Sequence, residues 1–310
     1  MMRNQGFQFL SRYGILIAFM MLIIVMSVLS PAFLKFTNVM NILRQTSING
    51  IVAVGMTFVI ILSGIDLSVG SVLALAAVVA ASFAHPGEYP IFVPILAGLF
   101  TGSLCGFING LIIAKRRIAP FIVTLGMMTI ARGAALVYTN GRPVIELSDS
   151  YNKIGGKYVL AIPIPVIIFI IVVFIGSFLL SKTVFGRHVY ATGGNKTAAE
   201  LSGIITSRVL ILGYSIAGFL AGLAGIVLSS RVMSGSPSTG QGYELDAIAA
   251  VVIGGTRLTG GVGTIFGTII GALIIGVMNN GLDLLNVSSY LQQIVKGLII
   301  LLAVMIDRKK

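Results

Sequence analysis

Apolar runs of roughly 20 residues recur along the whole chain, and about 20 residues is the length an α-helix needs to cross a hydrocarbon core of about 30 Å. Of the 310 residues 56% are hydrophobic and 10% charged, against about a quarter charged in soluble domains. A single soluble core cannot hide that much apolar surface. The fold class is therefore all-α, a polytopic integral membrane protein. Ten spans are predicted, at 13–29, 46–62, 70–84, 91–113, 119–138, 160–181, 209–229, 245–256, 264–281 and 290–306. The third and eighth are short or glycine-interrupted, the pattern of broken or re-entrant segments, which a membrane tolerates only where protein or a water-filled path covers them. The alternating strands of a transmembrane β-barrel are absent.

The net charge of +12 is that of membrane-protein loops rather than of a nucleic-acid binder, because basic residues gather on the cytoplasmic side. With the N-terminus inside, that side receives Arg3, Arg12, Lys115, Arg116, Arg117, Lys182, Arg187, Lys196, Arg208, Arg257, Arg308, Lys309 and Lys310. The other side receives Lys35, Arg44, Arg142, Lys153, Lys157 and Arg231. Both termini are thus expected in the cytoplasm. The N-terminus resembles a signal peptide, but Pro31 after Ser30 disfavours cleavage, so the segment reads as an uncleaved first span. The lone Cys105 excludes disulfides, and His85 and His188 are too isolated to suggest a metal.

Two predicted spans carry glycine ladders: Gly98, Gly102, Gly106 and Gly110 on the fourth, Gly263, Gly267 and Gly271 on the ninth. Spacing of four places them on one helix face, where another backbone can approach closely. Each span is expected to end in Asn-Gly-Leu, at Asn109 and at Asn280. The two run in opposite directions, the signature of an inverted repeat flanking a central path. Glycine-rich membrane helices are common, so an unrelated pair of helices would read the same way.

Catalytic signals are weak. Gly194-Asn195-Lys196-Thr197 lacks the glycine before lysine that a phosphate-binding loop requires. Asp66, within Ser63 to Ser71, lies between two apolar stretches; it either caps the third span, alone or with Ser68, or faces a path or gate. Capping is the favoured alternative. Path candidates are Asp66, Ser68, Ser71, Asn109, Asn279 and Asn280. Glu244, Asp246 and Asp283 are placed at span edges, the other acids in loops, and Arg132 and Lys296 stand isolated within or near spans. Such scarcity of charge points to an uncharged polar solute.

The polar island from Lys182 to Arg208 is a surface loop with one short helix of its own. Thr197-x-x-Glu200 has the spacing of a capping box, and Gly203 stands where a helix end favours the left-handed conformation. A helix of little more than one turn is unstable alone and needs bracing, as in a knob docked into a partner's groove. An ordinary capped surface helix has the same spacing.

Over almost its whole length the chain resembles the permease subunits of bacterial ABC sugar importers. The matching segments are Gln45 to Ser47, Ser63 to Ser71, Val137 to Gly141, Gly186 to Ile204, Gly242 to Thr256 and Asn279 to Tyr290. The resemblance implies a single transmembrane domain over 1–310 in a bacterial inner membrane. It implies as partners a second permease copy, a cytoplasmic ATPase subunit and a periplasmic or lipid-anchored sugar-binding protein. No cofactor is expected in this chain, since ATP and Mg would sit on the ATPase, and no catalysis either. The loop at 182–208 would carry the coupling helix, through Gly186, Arg187, Tyr190, Gly193, Gly194, Asn195, Thr197, Ala198, Ala199, Glu200, Leu201, Ser202 and Gly203. Thr197 stands where related importers often have glutamate, so no role of that glutamate is carried over. Ribose ranks first among substrates because the C-terminal third matches its permeases best; permeases for allose, galactose, xylose and autoinducer-2 share these motifs. The competing reading is a stand-alone secondary transporter or channel for a small uncharged solute.

Overall fold

The computed structural model describes residues 2–307, in which helices carry nearly all the regular structure. They are α1 (Met2–Leu29), α2 (Phe36–Ile61), α3 (Val69–Ser82), α4 (Phe92–Arg116), α5 (Pro120–Thr139), α6 (Asp149–Gly156), α7 (Ile164–Lys182), α8 (Val184–Gly194), α9 (Lys196–Leu201), α10 (Thr206–Val232), α11 (Tyr243–Ile253), α12 (Ile265–Leu284) and α13 (Ser289–Asp307). Tyr158–Val159 and Ile162–Pro163 form a small antiparallel hairpin before α7. Each predicted span falls on a helix, and α2, α4, α5, α7, α10 and α12 are long and apolar enough to cross a membrane. The protein is an all-α, multi-pass membrane protein. Arg308, Lys309 and Lys310 of the predicted basic tail lie outside the described residues.

The core follows from two long helices, α2 and α10. Seventeen residues of each are buried, far more than in any helix that faces outward. Their backbones approach so closely that a Cβ on Gly55 would lie 2.9 Å from Ala217 Cα. Helix α10 packs most extensively on α4 and then α3, while α2 packs on α12 and α11. In each half the chain runs long helix, short helix, glycine-ladder helix, and each long helix lies against the other half's pair.

The glycines explain the close approach. A Cβ on Gly102 would lie 2.3 Å from the Gly218 carbonyl oxygen, and one on Gly106 would lie 2.2 Å from that of Tyr214. Gly110 meets Ile211 backbone and Gly98 the Ile226 side chain. The second ladder faces α11 instead: Gly267 abuts Gly254 and Gly271 abuts Ala250. Gly263 is not part of it. It precedes α12, whose cap is Thr264, and packs on Thr256. Nor do the Asn-Gly pairs stop their helices, because α4 continues to Arg116 and α12 to Leu284. Buried helix–helix packing there outweighs the local preference of Asn-Gly for a turn.

The connections sort to two ends of the bundle. Joined at one end are the α2–α3 and α11–α12 connections and the helices α8 and α9, where Gly261 N–H donates to the Ile61 carbonyl. At the other end Ser148 N–H reaches the Ala84 carbonyl, and Val144 pairs with Gly235. Helix α6, which the hydropathy pattern missed because it is polar, lies here. Its buried Tyr151 hydroxyl bonds Ser229 at 2.7 Å, and Ser230 bonds the Gly155 N–H and the Tyr151 carbonyl.

Candidate translocation centre and coupling surface

Helices α3 and α11 have 14 and 11 residues, about 21 and 17 Å at 1.5 Å per residue, too short to cross. Each is preceded by non-helical chain, 62–68 and 233–242. Depth follows from the partners. Arg132, the thirteenth residue of the 20-residue α5, donates through its guanidinium to the carbonyls of Pro237 and Thr239, the latter at 2.8 Å. The second non-helical segment thus dips to mid-depth, and Arg132 is not isolated. The starts of the two short helices meet there: a Cβ on Gly70 would lie 2.3 Å from both the Glu244 carboxylate and the Gly240 carbonyl. Both short helices therefore present their positive ends to the interior, beside Glu244. This is broken backbone where protein covers it, as a membrane requires.

A buried polar cluster accompanies each short helix. In the first, Asp66 Oδ1 accepts from the Ser68 N–H at 2.8 Å and from the Ser68 hydroxyl at 2.6 Å. The Asn109 amide donates to Ser68 Oγ at 3.0 Å. Asp66 thus satisfies the free N–H of Ser68 at the start of α3, the capping alternative, while Ser68 itself makes no side-chain cap bond. In the second cluster Asp246, in the first turn of α11, is buried. Its Oδ2 lies 3.0 Å from Lys296 Nζ and accepts from Asn49 and Asn279, each at 3.4 Å. Lys296 is consequently paired, not isolated. Asn280 lies apart, exchanging amide bonds with Asn38. Ser71 is buried on α3.

The polar island folds as two helices, not one. Helix α8 starts under a Thr183 cap that accepts from Gly186 N–H, and Gly186 is required because a Cβ would meet the Leu180 carbonyl at 2.1 Å. Tyr190 donates to the Gly263 carbonyl at 2.7 Å, and burial raises the pKa of its phenol. At the end of α8, Ser63 Oγ donates to the carbonyls of Gly193 and Thr259 at 2.9 and 2.8 Å. A Cβ on Gly193 would lie 1.7 Å from the Ile61 carbonyl oxygen. The surface helix is thereby bolted to the joint between α2 and α3, three residues before Asp66.

Helix α9 is six residues long, and its cap is Asn195, whose side chain accepts from Ala198 N–H at 2.9 Å. The capping box at Thr197 does not form: Glu200 turns away to accept from the Thr206 hydroxyl at 2.6 Å. Asn195 wins because the helix begins two residues earlier than the Thr-x-x-Glu spacing requires. Gly203 has φ +82° and reverses the chain. Ala199 is buried against this chain, whereas Leu201 is 86% exposed. Arg187, Gly194, Ala198 and Ser202 are on the exposed side. Of the loop residues singled out in the sequence, Leu201 is thus an apolar side chain held outward on a braced turn.

The sequence profile of a family described as "Branched-chain amino acid transport system / permease component" matches residues 38–304. The chain belongs to this permease family. It is 49% identical to a ribose import permease protein of Haemophilus influenzae, covering 99% of this chain and 98% of that one. It is 52% identical to one of Escherichia coli K12, covering 95% and 93%. An L-arabinose ABC transporter permease protein of Azospirillum brasilense is 39% identical, over 99% of this chain and 90% of that one. No solved structure matches this permease.

Proposed function

We propose that this chain is the membrane-spanning subunit of an ATP-driven importer that passes a neutral monosaccharide, ribose, delivered by a binding protein outside the membrane. The observation that carries this reading is the step in identity: about half of all positions match ribose import permeases over nearly the full length, against 39% for the arabinose, xylose and allose permeases. The chain works without catalysis of its own, ATP and Mg being held by a cytoplasmic ATPase subunit. A homodimer of permeases sits in the bacterial inner membrane with both termini, α8 and α9 in the cytoplasm.

The geometry supplies a route for the work. Leu201 and Ala198 dock on the ATPase, and displacement of α8 is passed through Gly193 and Ser63 to the joint that carries Asp66. The two broken segments then part or close around the uncharged solute, which is met by carboxamides and hydroxyls rather than by rings of one charge. The test is reconstitution in proteoliposomes with ATPase and binding protein. Ribose uptake is expected only with both partners and ATP; uptake driven by an ion gradient without the ATPase would overturn the proposal in favour of a secondary transporter.

A further inference from the structure

At the end of the bundle that carries α8 and α9, a cavity of about 500 Å³ opens between the α8–α9 junction and the α4–α5 connection. Its lining includes two cations, Arg117 and Lys196, and no carboxylate. Thr192, another lining residue, is only 4% exposed, yet its hydroxyl has no hydrogen-bond partner. Leaving a buried hydroxyl unpaired costs free energy, so its retention against the cavity calls for a partner from outside the chain. Pro120 also lines the cavity, and it opens the 20-residue helix α5, whose cap residue Ala119 supplies no side-chain bond. The start of α5 adds no donor of its own, since Pro120 has no N–H and the Ile122 N–H already donates to the Ala119 carbonyl.

These features share one complement. We propose that the cavity binds a phosphate-bearing anion, with the phosphate held by Arg117 and Lys196 and the Thr192 hydroxyl as a further partner. Guanidinium and ammonium groups with no carboxylate beside them favour oxyanions through charge-assisted hydrogen bonds. The volume lies in the range of small-molecule sites, which admits a pentose or hexose phosphate as well as a lipid headgroup. The cytoplasmic location rests on the orientation proposed above; the binding itself does not. Because the floor includes Ser63 and Gly193, the bolt between α8 and the α2–α3 joint, an occupant touches the parts through which the ATPase acts.

The test uses purified permease in nanodiscs of phosphatidylcholine alone, titrated with inorganic phosphate and with ribose 5-phosphate and followed by phosphorus NMR line broadening. Saturable binding is expected, weakened about tenfold by Arg117→Gln or Lys196→Gln and by about three- to tenfold in Thr192→Val. Arg257→Gln, on the same end but outside the cavity, should bind as the parent does. If the soluble anions fail but phosphatidylglycerol in the nanodisc raises the unfolding midpoint of the parent and not of Arg117→Gln, the site holds a lipid phosphate. No saturable effect from either source, or equal binding by Arg117→Gln and Lys196→Gln, would overturn the site. Either failure leaves the import reading intact, since uptake with ATPase and binding protein is measured separately.

Discussion

The two broken segments solve one problem by different chemistry. Around 62–68 the bonds join Asp66, Ser68 and Asn109 without a cation, and the segment is fastened to α8 through Ser63. Around 233–246 a charge pair holds the structure: Arg132 gathers two carbonyls, and Asp246 draws Lys296 from α13. Helix α13 makes its main contacts with α11, so Lys296 is a principal tie between it and the body. The first segment is tied to the surface helix α8, and the second to α13 through one ion pair.

The comparison breaks most visibly at the glycines that hold each segment in place. Gly106→Leu forces α4 off α10, where a Cβ already lies 2.2 Å from a carbonyl. Gly267→Leu does the same to α11 and α12, at 2.0 Å from the Gly254 carbonyl. Both should abolish assembled protein in detergent extracts, whereas Leu99→Ile should extract normally. Folded, monodisperse Gly106→Leu would remove the close-contact account of the first half.

A smaller effect separates the two carboxylates. Asp246→Asn strands Lys296 and should destabilise by about 2 kcal/mol, the cost of breaking a buried pair reduced for the lysine's partial exposure. Lys296→Met added to it should recover most of the loss. Asp66→Asn keeps the acceptor that Ser68 uses and should cost no more than about 1 kcal/mol. Denaturant unfolding of the three variants checks this. Equal losses for Asp66→Asn and Asp246→Asn would erase the distinction between the segments.

The smallest effect sharpens the surface end. Asn195→Ala should cost about 1 kcal/mol as a lost cap, and Thr197→Ala nearly nothing, measured as the unfolding midpoint of the permease. The reverse order would restore the capping box at Thr197.

These outcomes also mark what was legible in the sequence. Each of the ten predicted spans falls on a helix, six of them long and apolar enough to cross a membrane, because a 20-residue apolar run has few other uses, and hydropathy marked α3 and α11 as short. It missed α6 and α8, whose buried residues, such as Tyr151 and Val189, are interspersed with polar ones. The glycine ladders announced close packing but not its partner, since spacing gives a face and never a neighbour. Gly263 was drawn into the second ladder by spacing alone, although its helix begins after it. Asp246 does stand at the edge of its helix, but its burial was hidden because the dip of 233–242 places mid-depth chain where linear counting expects surface. Its ion pair spans 50 residues and leaves no local pattern. At α9 the short-turn-plus-glycine pattern held, while the choice between Asn195 and Thr197 as cap depended on where α8 ends.

If α8 drives the α2–α3 joint, as proposed, it does so through Gly193, which lies against the Ile61 carbonyl. Gly193→Ala inserts a methyl group at 1.7 Å from the Ile61 carbonyl and must push the two apart, without altering the exposed face of α9. The decisive measurement is ribose uptake together with ATP turnover in proteoliposomes containing this variant, its ATPase and loaded binding protein. The account predicts that the ATPase still co-purifies and still hydrolyses ATP, while uptake falls at least about tenfold and turnover no longer responds to sugar. Uptake at the parent rate, with sugar-stimulated turnover, would contradict it.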